Sequence, residues 1–518
     1  MFFVPLYLEL LRSRPHLLFW FAALTQAFIW LVVPAVFYSA PPGDLAQLLA
    51  IGHELRLASG VGPPLAYWLG EIAFRIAGLF GVYLLSQICV VVMYWCVFTL
   101  GRALLGTAHA VIAVLLMIGI ALLTVPSPDF GPAILAMALW AVTLLHYWQA
   151  VVQKNKRSWY IAGAAAALML LTTDAALILL GTLVGFTLLT ERGRAALQST
   201  EPWIVAVGLT LFLFLHLLWL TGLADGLGSI LQTLRRAATA GDNTVAWLRI
   251  LIALALAHAG LAILVVLAVG WPRSRTTPAP PLQRQPVETF AKTFIKVLVV
   301  IPALLATVIA VVIGRPAPIG GAAPLVVLSG LAVVMAAGDS IALYHQRVLG
   351  FAWTGLLLVP AAFVPVLIFL LPWAAATDLK IAQPARAMGR FFAESFERRT
   401  GQPLAIVTGD PRTAALIALA APSRPSVLFD AAPERSPWVT ADDIRSKGAI
   451  VVWLAADTTP TPPPDIKAYF PDLVPEVPRT FDRPVQGRMA PLRIGWGVIR
   501  PGSVAAAPAP TTATTASR

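Results

Sequence analysis

Three aspartates, Asp44, Asp129 and Asp174, each stand at the mouth of a long apolar segment. A carboxylate at membrane depth is costly and is usually kept for a task. It can bind or deprotonate a hydroxyl group, or it can cap a helix by accepting free backbone N–H groups. Asp44-x-x-Gln47 has the capping-box form. Ser127-Pro128-Asp129 precedes an apolar run, and Thr172-Thr173-Asp174 fills a short turn, so both also suit a cap. Three such groups on one water–lipid boundary would suit a charged substrate carried on a lipid. Whether they share a boundary depends on the path of the chain.

That path is set by apolar segments. The chain of 518 residues is 58% hydrophobic and 12% charged, with a mean hydropathy of +0.80. Soluble domains carry about 25% charged residues. Apolar stretches long enough for a bilayer, roughly 20 residues each, recur up to Trp373. The expected class is an α-helical polytopic membrane protein. The net charge of +12, from 37 Lys and Arg against 25 Asp and Glu, falls in short loops beside these stretches. It fits the positive-inside rule and contact with anionic membrane lipids. No basic stripe interleaved with aromatics appears, so nucleic acid is not expected as a partner.

Arg12 and Arg14 place the N-terminus in the cytoplasm, and alternating basic loops order eleven crossings. These are 16–38, 79–100, 109–125, 130–150, 159–171, 175–190, 203–220, 245–270, 294–314, 324–343 and 349–373. The first run lacks a small-residue cleavage site after it and is expected to be retained. This order puts all three aspartates on the extracytoplasmic face. Between the first two spans, residues 45–58 place Leu45, Leu48, Leu49 and Leu55 on one stripe, the pattern of a helix lying on the membrane surface. The proline-rich segment 271–288 reads as a cytoplasmic linker, and no internal repeat is found.

Residues 1–373 thus form the multi-span domain. From residue 374 charges and prolines rise, and short apolar runs (403–407, 426–429, 449–454, 492–499) surround a helical run at 414–420. Strand, helix and strand at this spacing predict a small α/β domain over 374–500, in the periplasm or outside the cell membrane. Residues 501–518 are low-complexity and read as a disordered tail. Cys89 and Cys96 lie seven residues apart in one apolar helix, about 10 Å at helical rise, too far for a mutual disulfide.

Taken in order, several segments resemble the GT-C membrane glycosyltransferases. The likeness is nearest to the bacterial branch containing protein O-mannosyltransferases and the lipid A aminoarabinose transferase. Gly43-Asp44-Leu45 through Pro63-Pro64-Leu65-Ala66-Tyr67-Trp68-Leu69 is similar to that family's first external loop. Ser127-Pro128-Asp129 resembles its Thr-Pro-Asp, and residues 163–174 resemble its Gly-rich helix with a polar turn. The chain departs from the family at Leu45, where a second acid often stands. It departs again at Gly62 and at Thr173-Asp174, where cations are usual.

The resemblance implies an about 11-span GT-C-like fold with a small external domain. It also implies transfer of a monosaccharide from a polyprenyl-phosphate donor to an extracytoplasmic protein, lipid A or envelope glycan. Asp44 would be the catalytic acid and Asp129 a second site carboxylate, with Asp174, Pro63, Pro64 and Tyr67 lining the substrate. Arg235, Arg236 and Arg315 are the cations that could meet a phosphate fork. The seven histidines are scattered, which disfavours zinc. A hard divalent metal held by Asp44 and Asp129 with waters is the cofactor to be tested. Two rivals remain: an inactive GT-C-like scaffold, and a transporter or flippase of a lipid-linked sugar.

Overall fold

Among the described residues, apolar helices dominate up to Ala374, and a mixed five-stranded sheet lies beyond them. The computed structural model describes residues 9–55, 62–214, 243–269, 281–341, 346–430 other than 376 and 378, and 436–502 other than 460 and 486. Among the described residues, the helices of eight residues or more up to Ala374 begin with α1 Pro15–Phe37, α2 Leu45–His53, α3 Leu65–Leu105, α4 Thr107–Met117, α5 Pro132–Val151, α6 Lys156–Leu170 and α7 Ala175–Leu189. They continue as α8 Glu201–Phe214, α9 Asn243–Ala257, α10 Ala259–Val269, α11 Thr289–Val312, α12 Ser329–Ala336 and α13 Gln346–Ala374. Two compact units result. One comprises Met1–Val36, Gly62–Ala66 and Ile76–Val364; the other comprises Phe37–Val61, Tyr67–Arg75 and Pro365–Arg518.

In the first unit, Leu79 of the expected second span falls at a break inside α3. Ala77 (φ −144°) and Gly78 (φ 61°) leave helical geometry there, and only glycine takes a positive φ at little cost. Among the described residues, five helices are long and apolar enough to cross a membrane, or six if the bent pair α9–α10 is one span. That is fewer than the eleven apolar stretches. Several stretches are broken: α4 has 11 residues, about 16 Å of helix against a hydrocarbon core of about 30 Å.

The apolar residues after α4 fold instead as a 3₁₀ turn and loops up to Phe130. Irregular backbone at this depth needs enclosed hydrogen-bond partners, and these are present. Gln26 donates to the Leu123 carbonyl at 2.7 Å and accepts from the Tyr94 hydroxyl at 2.9 Å. The stretch 324–343 is likewise broken, into a 3₁₀ turn at Pro324–Val326 and α12. An aromatic cluster packs the bundle interior, with Phe294 between Trp148 (5.1 Å between ring centroids) and Phe186 (5.6 Å).

The second unit holds the α/β domain: α14 Ala385–Thr400, β1 Ile406–Gly409, α15 Pro411–Ala420, β2 Ser426–Phe429, α16 Ala441–Lys447, β3 Ala449–Leu454, β4 Pro475–Phe481 and β5 Leu492–Ile499. The strand order is β2-β1-β3-β5-β4. β1 is parallel to β2 and β3; β5 is antiparallel to β3 and β4. The edge strand β4 was not legible in the sequence, because Pro475, Glu476, Pro478 and Arg479 carry no apolar alternation. Proline is tolerated at such an edge. Met388, Phe392 and Phe396 of α14, one helical turn apart, are buried in the core. Ala46 and Ala50 of α2 join the same core. Leu45, Leu48 and Leu49 are buried too. α2 is therefore a core helix of this unit, not one laid open on a lipid surface.

Candidate functional site

In the first unit, backbone contacts gather four turns at one end of the bundle. The Leu65 N–H donates to the Leu171 carbonyl at 2.9 Å, which brings Pro63 and Pro64 beside the 172–174 turn. The loop after α11 reaches the same turn: a Cβ built on Gly320 (φ 76°) would lie 2.5 Å from Thr173 Oγ1, and one on Gly321 would lie 3.0 Å from the Ala133 Cβ. Ala133 lies in the first turn of α5, four residues after Asp129. The end thus joins Pro63, Pro64, the turn of Asp174, the loop of Arg315 and the start of α5.

Within it, Asp174 is exposed and stands at the N-cap position of α7 with helical dihedrals (φ −64°, ψ −21°), without a side-chain cap bond. Thr173 Oγ1 accepts from Ala175 N–H instead, at 3.3 Å. Asp129 is half-buried and is not the cap of α5; Gly131 holds that place, with Pro132 in the first turn. Arg315 is exposed, and its N–H donates to the Ala310 carbonyl at 2.7 Å. Arg235 and Arg236 lie outside the described residues.

Ser86 and Gln87, polar residues inside the apolar run of α3, hold the 127–129 turn. The Ser86 hydroxyl donates to the Ser127 carbonyl, and Gln87 Nε2 donates to Ser127 Oγ at 3.3 Å. The sequence signal was available, since buried polar side chains in a membrane span are costly and are kept for a reason.

In the second unit, Asp44 stands at the head of α2 with φ −103° and ψ 13°. Its side chain makes no cap hydrogen bond, so the capping-box pattern is not realised, and the carboxylate is exposed. Its backbone neighbours are held tightly. Ser39 and Ala40 N–H groups both donate to the Ile381 carbonyl, at 2.9 and 3.0 Å. Arg412 of α15 donates to the carbonyls of Gly43 (2.5 Å), Pro41 (3.4 Å) and Lys380 (3.0 Å), and to Gln383 Oε1 (3.2 Å).

Tyr67 is half-buried in the first turn of α3. One turn on, Glu71 is buried and receives Arg424 Nη2 at 2.8 Å and Arg75 Nε at 2.9 Å, with His53 Nδ1 at 3.2 Å. The Arg424 guanidinium also covers the Phe74 ring at 4.5 Å. Neither the Arg412–Gly43 nor the Arg424–Glu71 pairing could be read from sequence, because the partners lie hundreds of positions apart.

Among the described residues no three His, Cys, Asp or Glu groups gather where they could share an ion. Either Asp44 or Asp129 could supply one carboxylate to a hard divalent ion whose other ligands are waters and substrate phosphate oxygens. What the side chains offer is exposed carboxylates to accept a proton and an exposed arginine to face an anion.

Residues 61–219 match the family described as Dolichyl-phosphate-mannose-protein mannosyltransferase. No curated protein sequence matches the chain. Among solved structures, the chain is similar to ArnT from Cupriavidus metallidurans bound to undecaprenyl phosphate, at 14% identity and a TM-score of 0.43, covering 93% of this chain and 97% of that one. The apo form of the same protein gives 13% identity and a TM-score of 0.46 with the same coverage. The apo oligosaccharyltransferase of Archaeoglobus fulgidus gives 12% identity and a TM-score of 0.43, covering 86% of this chain and 70% of that one.

Proposed function

We propose that this multi-pass membrane protein, which resembles the GT-C glycosyltransferases of the mannosyltransferase and aminoarabinose-transferase type, transfers a monosaccharide from a polyprenyl-phosphate donor to an extracytoplasmic acceptor. The acceptor is a protein, lipid A or an envelope glycan. The protein sits in the cell membrane with its N-terminus in the cytoplasm and its α/β domain on the outer side. The observation that carries this function is the family match over residues 61–219, the stretch that contains Pro63-Pro64-Leu65, Ser127-Pro128-Asp129 and Thr172-Thr173-Asp174.

The chemistry follows from the side chains. The acceptor hydroxyl oxygen attacks the sugar's anomeric carbon as the bond from that carbon to the lipid-phosphate oxygen breaks, in line, so the configuration inverts. Asp44 takes the hydroxyl proton, for which an exposed, uncapped carboxylate is suited. The leaving lipid phosphate carries away the electron pair, and Arg315, with Arg235 and Arg236, meets its negative charge. Asp129 and Asp174 orient the sugar or acceptor hydroxyls, while Pro63, Pro64 and Tyr67 shape the apolar wall beside the donor. A lipid donor also explains why such a site does not face cytoplasmic nucleotide sugars.

The test uses purified protein in lipid nanodiscs with undecaprenyl-phosphate-linked mannose and aminoarabinose as donors and envelope extract as acceptor source. Product is followed by mass spectrometry. Transfer by the unmodified protein, lost by at least about 100-fold in Asp44→Asn with donor binding retained, is the expected result. Donor movement across the bilayer without transfer would favour a flippase. Donor binding with neither would favour a scaffold, the outcome that the missing family cations at Gly62 and Thr173 make specific.

A further inference from the structure

We infer that Arg412 is a positioning residue for Asp44, and that the α/β domain spends its ligand-binding edge on holding the loop that carries this carboxylate. The inference rests on the transfer function proposed above. In an open α/β sheet, ligands bind outside the carboxyl ends of the strands, where neighbouring connections leave in opposite directions. In this domain that point is the end of β1, since β2 adds on one side of it and β3 on the other.

Gly409 ends β1 with φ 116°, and a Cβ there would run into the Val452 carbonyl of β3. Asp410 then caps α15 through Thr413 N–H at 2.9 Å. In a nucleotide-binding domain the first turn of this helix would face a phosphate. Here Arg412, in that first turn, fastens the chain's own Pro41 and Gly43 carbonyls, and α2 packs against α15. The edge is therefore taken by protein, and the domain is not a nucleotide-binding module.

Arg412 holds three separate segments at once: the loop before Asp44, residues 380–383 after the last span, and α15 itself. Ile381 adds its two bonds from Ser39 and Ala40. All these bonds go to backbone or to Gln383, and the Asp44 side chain itself caps nothing. The loop is thereby fixed while its carboxylate is left available. Such preorganisation serves a proton acceptor, because a misplacement of about 1 Å costs up to about 100-fold in rate.

The experiment compares Arg412→Ala, Arg412→Lys and, as a control, Arg390→Ala on the exposed face of α14, all in the full-length protein. Hydrogen exchange reports on the amides of residues 39–45, and kcat and KM are measured with undecaprenyl-phosphate-linked donors. The expected result for Arg412→Ala is faster exchange confined to 39–45 and a 10- to 100-fold lower kcat, with KM for donor within about twofold. Arg412→Lys should fall between Ala and the unmodified protein, and it carries the test if the alanine variant does not fold. Unchanged exchange and kcat in both variants, or a raised KM at full kcat, overturns the inference. The exchange arm needs no substrate, so an unmodified protein that transfers no sugar would sink the proposed function while the loop clamp is still judged.

Discussion

Replacing Arg424 by methionine removes one of three donors from a buried carboxylate, and its cost can be worked out. The Glu71 side chain is 2% exposed, whereas those of Arg75, His53 and Arg424 are 52%, 31% and 19% exposed. Water screens the first two contacts, so Arg424 supplies the enclosed one. A hydrogen bond to a charged group is worth about 1.5–3 kcal/mol, and the guanidinium over Phe74 adds about 0.5–1 kcal/mol. Methionine keeps the stem's volume, so no cavity term enters. The expected loss is about 2–4 kcal/mol.

At about 2–4 °C per kcal/mol for a domain of this size, the melting temperature should fall by about 5–15 °C. Tryptophan fluorescence of the full-length protein in detergent reads this, since Trp438, Trp453 and Trp496 lie in the α/β core. A second variant separates charge from packing. Glu71→Leu combined with Arg424→Met removes both charges and should return to within about 1 kcal/mol of the original, as apolar replacements of buried pairs often do. A single variant that melts with the unmodified protein would refute the reasoning, as would a double variant no better than the single.

Two further outcomes are expected. Asp443 of the α16 capping box accepts from Lys447 and Thr440, which hold its carboxyl down to about 2. Because the folded value is depressed, its stabilisation is complete above the ordinary carboxylate range and is lost as pH falls through about 2. With solvent screening this is worth on the order of 1 kcal/mol, so the melting curves of Asp443→Asn and the unmodified protein should converge between pH 4 and 2. Gly320→Val must push the loop of Arg315 away from Thr173, given the close approach there. It should lower transfer at least 10-fold in the nanodisc assay while leaving the melting of the α/β core unchanged.

Local pattern was enough wherever burial follows the chain's own periodicity. The apolar runs marked the membrane helices, and residues 426–429, 449–454 and 492–499 became β2, β3 and β5 at those positions. Each is a short, mainly apolar segment between turn residues, so the sequence itself carries the signal. Even the break in α3 has a local cause, the glycine at position 78.

Tertiary structure decided what depends on partners distant in sequence. The Asp44-x-x-Gln47 pattern reads as a cap, yet the loop before it is fixed by Ile381 and Arg412, and the carboxylate caps nothing. The stripe on α2 suits a membrane surface, but Ala46 and Ala50 on the same helix, with Ala40 before it, complete a core whose remaining members begin at residue 385. Residues 118–125 are apolar enough to continue a span, yet the chain turns there, with Gln26 and Ser86 giving the Leu123 and Ser127 carbonyls enclosed hydrogen bonds. Periodicity encodes which side of an element avoids water. Which distant group satisfies a given carbonyl or carboxylate is settled only when the folded chain brings the two together.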